Sequence, residues 1–457
     1  MIDLPKGWIW VSLSQLVLKL VDGSHNPPSK QSDGLPMLSA RNIIDGKIVF
    51  DEFRLIKQED FEIEDKRTNV SPDDILLTIV GTIGRSVVVS IGVQKFTLQR
   101  SVAVVRPLDG IDSQYLKYEF DTPEFQQWMI DNAKGTAQKG IYLKQLGSAS
   151  IPLPPLNEQH RIVAKLDTLF SHTRKAREEL DRIPKLIKRY KQAVLSAAFR
   201  GDLTEDWRRE NPDLSQDAIQ EDQKIDAKEL PKGWKSITLD KIGQFESGGT
   251  PSKEKSNYWG GDIPFVTGAD ITNLYISSQN ARAFLSKEGL HSGKTAICKP
   301  KTVLFVTRTR VGRVGIATEI MGASQDLSPY TCSSYLFPEY LCHYLSSISD
   351  CLLANCRGST ILGLTRGFVK SLIIPLSPLP EQQEIVRRVE KLFKAIEQME
   401  AQYQKASKLL DRLEQATLSK AFRGELVPQD PNDEAASVLL ERILAEKQPK
   451  KTAKPRK

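Results

Sequence analysis

From Ile385 onward, seam positions follow alternating steps of four and three residues: Ile385, Val389, Leu392, Ile396, Met399, Tyr403, Ala406, Leu410, Leu413 and Thr417. A heptad seam sustained over this length predicts a long helix that needs a helical partner. The spacing returns at Ile162, Leu166, Leu169, Thr173, Ala176, Leu180, Ile183, Ile187, Tyr190 and Val194. Each predicted helix covers about 42 residues, a rod of roughly 60 Å at ~1.5 Å per residue. Asn157-Glu158-Gln159 and Pro380-Glu381-Gln382 supply first-turn chemistry, and Gly201 and Gly424 suit left-handed caps. Pro184 lies inside the first pattern and predicts a kink or a break there, whereas the second copy has Ser407. Because both seams belong to one chain, their pairing is intramolecular, and an antiparallel coiled coil is expected.

The helices are part of a larger duplication. Leu4-Pro5-Lys6-Gly7-Trp8 recurs as Leu230-Pro231-Lys232-Gly233-Trp234, and Ile151 to Leu203 recurs without a gap as Ile374 to Leu426, nearly half of the positions being identical. The two inserts between these frames match each other only sparsely. One architecture therefore presents two different surfaces. Alternating β-branched runs at Ile75 to Val80, Ser86 to Ile91, Ser101 to Val105, Thr302 to Thr307 and Val314 to Thr318 predict strands in both inserts. Gly81-Thr82-Ile83-Gly84-Arg85 matches Thr309-Arg310-Val311-Gly312-Arg313, Gln99-Arg100 matches Gln325-Asp326, and Gly135 to Gly140 matches Gly358 to Gly363. The fold class expected is α+β: two strand-rich domains separated by two long helices, with a pseudo-two-fold internal repeat.

The formal net charge is +7 over 457 residues, but the tail after Glu446 contributes six basic residues and no acidic one. The rest is close to neutral, so any nucleic-acid surface must be local. Two acid-free stretches qualify, one with Arg85, Lys95, Arg100 and Arg106, the other with Lys294, Lys299, Lys301, Arg308, Arg310 and Arg313. No run approaches the ~20 apolar residues of a membrane span, and the start, MIDLPKGWIW, lacks the regions of a signal peptide, so a cytoplasmic location is expected.

Chemistry is scarce. All five cysteines, Cys298, Cys332, Cys342, Cys351 and Cys356, fall in the second insert without a CxxC pair, which predicts buried thiols rather than a zinc site or a disulfide framework. Glu288 to Thr295 ends like a phosphate loop but lacks its first glycine. No metalloprotease, dinucleotide-binding, nucleophilic-triad or nuclease pattern is present. Binding surfaces without a catalytic centre are expected, and no metal.

A variable strand-rich insert, then a helix opening with IPLPPLxEQ and closing with AFRG-acidic-Leu, all repeated once, resembles the specificity subunit of type I restriction-modification enzymes. Asp22-Gly23-Ser24-His25 with Leu35 to Ile43, and Gly248-Gly249-Thr250-Pro251-Ser252 with Tyr258-Trp259 and Gly261 to Pro264, resemble two classes of target recognition domain, and Asp433 to Ile443 looks like the family's C-terminus. The resemblance implies a first recognition domain over 1–150, a conserved spacer helix over 151–207, a linker over 208–229, a second recognition domain over 230–373, a second spacer helix over 374–427 and a C-terminal segment over 428–457. It implies recognition of a split, asymmetric site in double-stranded DNA, the helices fixing the unread spacer. It also implies two methyltransferase subunits that use S-adenosylmethionine and two motor-nuclease subunits that use ATP with Mg, this chain itself carrying no cofactor and no catalytic residue.

Base-reading residues vary with target, so candidates come from charge and loop position. They are Arg41, Thr82, Arg85, Arg100 and Lys139 in the first domain and Thr250, Lys253, Arg308, Arg310 and Arg313 in the second. Ile162, Leu166, Leu169, Leu180, Ile187, Ile385, Val389, Leu392, Ile396 and Leu410 are the expected coiled-coil contacts. The competing function is a coiled-coil interaction scaffold without sequence-specific DNA binding.

Overall fold

The computed structural model describes residues 3–135, 138–213, 230–358 and 362–447. Most of the expected linker, and the basic tail from residue 448, lie outside the described residues. The chain forms two compact units, Met1–Asp181 with Gln404–Lys457, and Arg182–Tyr403.

In the first unit, β1 (Ile9–Ser12) is followed by β2 (Val17–Asp22), β3 (Leu35–Leu38), β4 (Arg54–Ile56), β5 (Ile75–Thr78), β6 (Ser86–Val88), β7 (Thr97–Leu98) and β8 (Val102–Pro107). Next come α1 (Ser113–Phe120), β9 (Ser150–Leu153) and α2 (Leu156–Leu180). A four-stranded sheet runs β2-β8-β5-β6, and a three-stranded sheet runs β4-β3-β7 with β3 and β7 parallel. Leu38, Leu76, Leu98, Val102 and Val104 join the two sheets in one apolar cluster. The alternate strand positions Ile75, Leu77, Ala103 and Val105 face a second cluster with helical residues such as Leu116 and Phe120. Burial on both faces explains why these strands read as continuous apolar runs rather than as alternation.

The second unit starts with α3 (Ile183–Arg200) and repeats the plan with β10 (Lys235–Thr238), β11 (Gly243–Phe245), β12 (Trp259–Val266), β13 (Tyr275–Ile276) and β14 (Ala283–Leu285). It continues through β15 (Ala296–Cys298), β16 (Val303–Val306), β17 (Val314–Ala317), β18 (Met321–Ala323) and β19 (Leu327–Cys332), then α4 (Pro338–Ser347) and β20 (Ile373–Leu376). Its sheets run β11-β19-β16-β17-β13 and β14-β12-β18-β15. Cys298 and Cys342 are buried as expected, but Cys351 is exposed.

The repeated frame closes each insert at its base. β1 pairs antiparallel with β9, and β10 with β20. The Trp8 indole donates to Glu158 Oε2 at 3.0 Å, and the Trp234 indole to Glu381 Oε2 at 2.8 Å. Gln159 Oε1 accepts from the backbone of Asp112, and Gln382 Oε1 from that of Phe337. The Glu-Gln pair that looks like helix-start chemistry is thus a buried anchor. The two cap glycines have a double requirement: each takes a left-handed φ, +83° at Gly201 and +72° at Gly424. A Cβ there would lie 2.4 Å from Pro231 or 2.2 Å from Pro5, the prolines of the repeated opening motif.

The first rod breaks where Pro184 predicts: α2 ends at Leu180, and α3 restarts at Ile183 with the proline in its first turn, where no amide is needed. The second rod, α5 (Leu379–Phe422), runs unbroken for 44 residues. The rods pair antiparallel. In the first unit Ile162 and Leu166 of α2 share a cluster with Leu418, Ala421 and Phe422 of α5. In the second, Val194, Leu195, Ala198 and Phe199 of α3 share one with Ile385, Val386 and Val389. Arg177 bridges Asp411 at 2.7 Å, and Lys191 bridges Glu400 at 2.9 Å.

Of the expected contacts, Ile162, Leu166, Ile187, Ile385, Val389 and Ile396 are buried, while Leu169, Leu180, Leu392 and Leu410 are half-buried. The strict heptad fails at Leu413 and Met399, about half exposed, and Leu418 takes over the seam. A straight helix drifts by ~20° per heptad, so the seam passes from Leu410 to Leu418 in two four-residue steps instead of a three and a four. α6 (Ala436–Lys447) then folds onto the first unit, where Ala436, Leu439 and Ile443 join the cluster of Leu108 and Ile111.

Glu384, near the start of α5, accepts from both Arg387 and Arg388 at 2.6 Å, which together hold its carboxyl down at about 2. A depressed carboxylate stabilises the fold above its unfolded value near 4.5, and that contribution disappears as pH falls toward 2. Glu384→Gln should therefore cost about 1 kcal/mol at pH 7, the exposed Arg387 partner limiting the effect. Thermal melts of the two proteins should converge by about pH 2.

Candidate nucleic-acid interface

The loops at the open end of the first unit's sheets enclose a cleft of about 320 Å³. Its lining includes Ser24 and His25 after β2, Ser39 and Arg41 after β3, Gly81 and Thr82 after β5, Gln99 and Arg100 after β7, and Gln138. Backbone bonds fix the rim: Ser24 donates to Leu98 O at 2.8 Å, Gln99 to Leu38 O at 2.9 Å, and Gly81 to Lys139 O at 3.1 Å. The β5–β6 turn needs left-handed backbone at Gly81 and Gly84.

Three of the five candidates in this domain, Arg41, Thr82 and Arg100, meet in the cleft. Arg41 and Arg100 are exposed, and no side chain among the described residues holds their guanidinium groups. Arg85 is exposed but turns back, its Nη1 donating to Ile43 O at 3.2 Å, and Lys139 is exposed outside the lining. Arg106, counted in the basic stretch, is committed elsewhere: it bonds Asp74 at 2.6 Å and the backbone carbonyl of Asn69 at 2.8 Å. His25 Nε2 lies 2.8 Å from Asp22 Oδ2, and that carboxylate also pairs with Arg67.

The second unit builds the same rim. Gly249 donates to Ala323 O and Ser324 to Val266 O, both at 2.9 Å, and Thr309 donates to Leu362 O at 3.2 Å. Thr309 holds the left-handed position of Gly81, with φ +64°. The loop before Ile43, where Asn42 Oδ1 accepts from Ser39 N, has its counterpart in Asp270 Oδ2, which accepts from Thr267 N. Arg313 repeats Arg85, its Nη1 reaching Ile271 O at 3.4 Å. Arg308 and Arg310 are exposed at the turn, Thr250 donates to the side chain of Gln325 across the rim, and Lys253 is exposed on the following loop.

These bonds correct one sequence register. Ile79 donates to Ser101 O and Thr307 to Asp326 O, so Arg100 corresponds to Gln325, and Ser101 to Asp326. Gln99 therefore sits opposite Ser324, one residue from the glutamine-to-glutamine match that the sequence suggests. Gln99 and Gln138 were not candidates, because an uncharged side chain in a short turn leaves no charge signal.

A family model described as the type I restriction modification DNA specificity domain matches residues 29–184 and 231–407, both copies of the plan. The chain belongs to this family. The EcoKI specificity subunit of Escherichia coli K12 is 28% identical over 478 residues, covering 97% of this chain and 96% of the relative. The EcoDI specificity subunit of Escherichia coli is 28% identical over 352 residues, covering 71% of this chain and 76% of the relative. Among solved structures, a chain of a type I R-M system matches with TM-score 0.72 and 23% identity, over 93% of this chain and all of the other. The HsdS subunit from Thermoanaerobacter tengcongensis matches with TM-score 0.53 and 23% identity, over 93% and 98%. The two inserts are therefore specificity domains, and the pair of rods belongs to the HsdS fold. Among the described residues no helix is long and apolar enough to cross a membrane.

Close approach of the backbone under the rim carries a prediction. A Cβ on Gly248 would lie 1.8 Å from Ser324 O, and one on Gly23 2.1 Å from Leu98 O. Gly248→Ala should destabilise the second specificity domain by about 1–3 kcal/mol through forced backbone shift. Hydrogen exchange should quicken across β11, β16 and β19 while the amides of β2, β5 and β8 keep their protection.

Proposed function

We propose that this specificity subunit recognises a bipartite, asymmetric DNA site with a fixed spacer, each domain reading one half. One observation carries the reading: two rims with the same backbone bonds present different side chains, Arg41, Thr82 and Arg100 in one and Thr250, Arg308 and Arg310 in the other. A shared scaffold with unlike contacts suits two unlike half-sites. Exposed arginines on loops can meet phosphates or the O6 and N7 of guanine. Residues 1–150 and 230–373 are the reading domains, and the helices of 151–207 and 374–427 set the spacer. Lys139 and Lys253, exposed beside the rims, serve as phosphate contacts.

The chain supplies address rather than chemistry. Its partners are double-stranded DNA, two methyltransferase subunits and two motor-nuclease subunits, in the cytoplasm, with S-adenosylmethionine and ATP handled by those partners. Leu186, Tyr190, Met399, Leu409 and Leu413 leave apolar surface exposed on the helices, which supports docking there.

A random-library DNA selection with the chain co-purified with its methyltransferase subunit tests this reading. Two short defined halves around a constant undefined spacer are expected, with affinity falling as salt rises. Exchanging the two inserts should exchange the order of the halves. A single contiguous motif would leave only one domain as a reader, and no enrichment would make the chain an interaction scaffold.

A further inference from the structure

The two rims can be superposed residue by residue through their backbone bonds, and this comparison separates two kinds of arginine. Gly84 donates to Thr78 O and Gly312 to Val306 O, Ile141 to Ile79 O and Leu364 to Thr307 O. These pairs align Val80 with Arg308, Thr82 with Arg310, Arg100 with Gln325, and Arg41 with Ala269. Arg85 aligns with Arg313, and both spend a guanidinium N–H on the carbonyl of the same loop, Ile43 O and Ile271 O. Cations are thus kept at the bracing position and traded at the rim. The first rim carries its two free arginines on the loops after β3 and β7. In the second, those positions hold Ala269 and Gln325, and the turn between β16 and β17 instead carries two exposed arginines whose guanidinium groups no side chain among the described residues holds.

We infer that guanine recognition in each half-site is set by which rim positions carry the free arginines: Arg41 and Arg100 in the first domain, Arg308 and Arg310 in the second, with Arg85 and Arg313 as positioning residues that hold the loop under them. The inference rests on the DNA-reading function proposed above and names its specificity determinants. Arginine at these positions offers the paired donors that match O6 and N7 of guanine, a geometry that lysine cannot reproduce although it keeps the charge. All four side chains are exposed, so their replacement leaves the apolar clusters untouched.

The test uses the complex with the methyltransferase subunit and the same random-library selection. Arg41→Lys with Arg100→Lys should remove a guanine preference of roughly 10- to 100-fold from one half-site. The other half, the spacer and the salt dependence should stay as they were. Arg308→Lys with Arg310→Lys should do the reverse. A transplant, Ala269→Arg, Arg308→Val, Arg310→Thr and Gln325→Arg, should move the guanine within the second half to the place it holds in the first. Arg85→Lys should lower the melting temperature and leave the base preferences unchanged. The inference is overturned if the lysine variants keep both guanine preferences, or if their losses are uniform over all sequences, which would assign the four arginines to phosphates. Absence of any bipartite motif with the unaltered protein would instead remove the reading on which the inference rests.

Discussion

The buried bond between an indole and a glutamate, made twice, is the constraint on which the rest depends. Glu158 and Glu381 are almost fully buried, and each accepts from the tryptophan that opens its domain. Such a carboxylate is costly unless it is paired, and three chain segments converge to pair it. In the second unit these are the tryptophan, the start of α5, and Thr204 with Arg208, which follow α3. In the first they are Trp8, the start of α2, and Gln429, which follows α5. Lacking a cation in direct contact, Glu158 is pushed upward by burial, whereas the guanidinium of Arg208 bonds Glu381 at 2.6 Å. Each domain is locked at its base by a segment from the end of the other rod's helix.

Closure at the base frees the far end. Once β1–β9 and β10–β20 tie the two ends of an insert together, the connecting loops carry no duty in joining domain to helix. They are constrained by backbone bonds at the rim, which require glycine at positions such as Gly23 and Gly248 and leave the exposed side chains between them open to change. The exposed side chains there, such as Arg41, Thr82 and Arg100, can change without cost to the apolar clusters, because they lie outside them. This is the physical basis on which a duplicated architecture tolerates divergence in its inserts while its frame stays recognisable.

The frame was legible in the sequence because its signals are periodic or covalent. A heptad seam over ten positions, a proline inside it and a glycine after it locate the rods, the break between Leu180 and Ile183, and the caps. Strands buried on both faces also announce themselves as β-branched runs. Legibility ended where one residue type can hold two jobs. Arg85 and Arg106 look like a basic patch, yet one braces a carbonyl and the other neutralises Asp74, a buried carboxylate just before the acid-free stretch that starts at Ile75. The glutamate of the NEQ motif is indistinguishable in sequence from a dipole-stabilising first-turn residue, since its partner tryptophan is 150 positions away. The Gln99 register was missed for the converse reason: a backbone bond to Leu38 sets it, and backbone bonds leave no mark on residue type.

The same distinction explains why arginine recurs in both roles. A guanidinium has five donors in a rigid plane, so it can spend one or two on a carbonyl and remain charged. At Arg85 and Arg313 the acceptor is part of the protein, and the geometry must persist in both domains for the loop below to keep its place. At the rim no side chain among the described residues accepts from Arg41, Arg100, Arg308 or Arg310, and their guanidinium groups stay exposed. An unpaired, exposed cation contributes almost nothing to folding. The fold therefore sets no requirement on its position, whereas the bracing arginines must coincide between the domains.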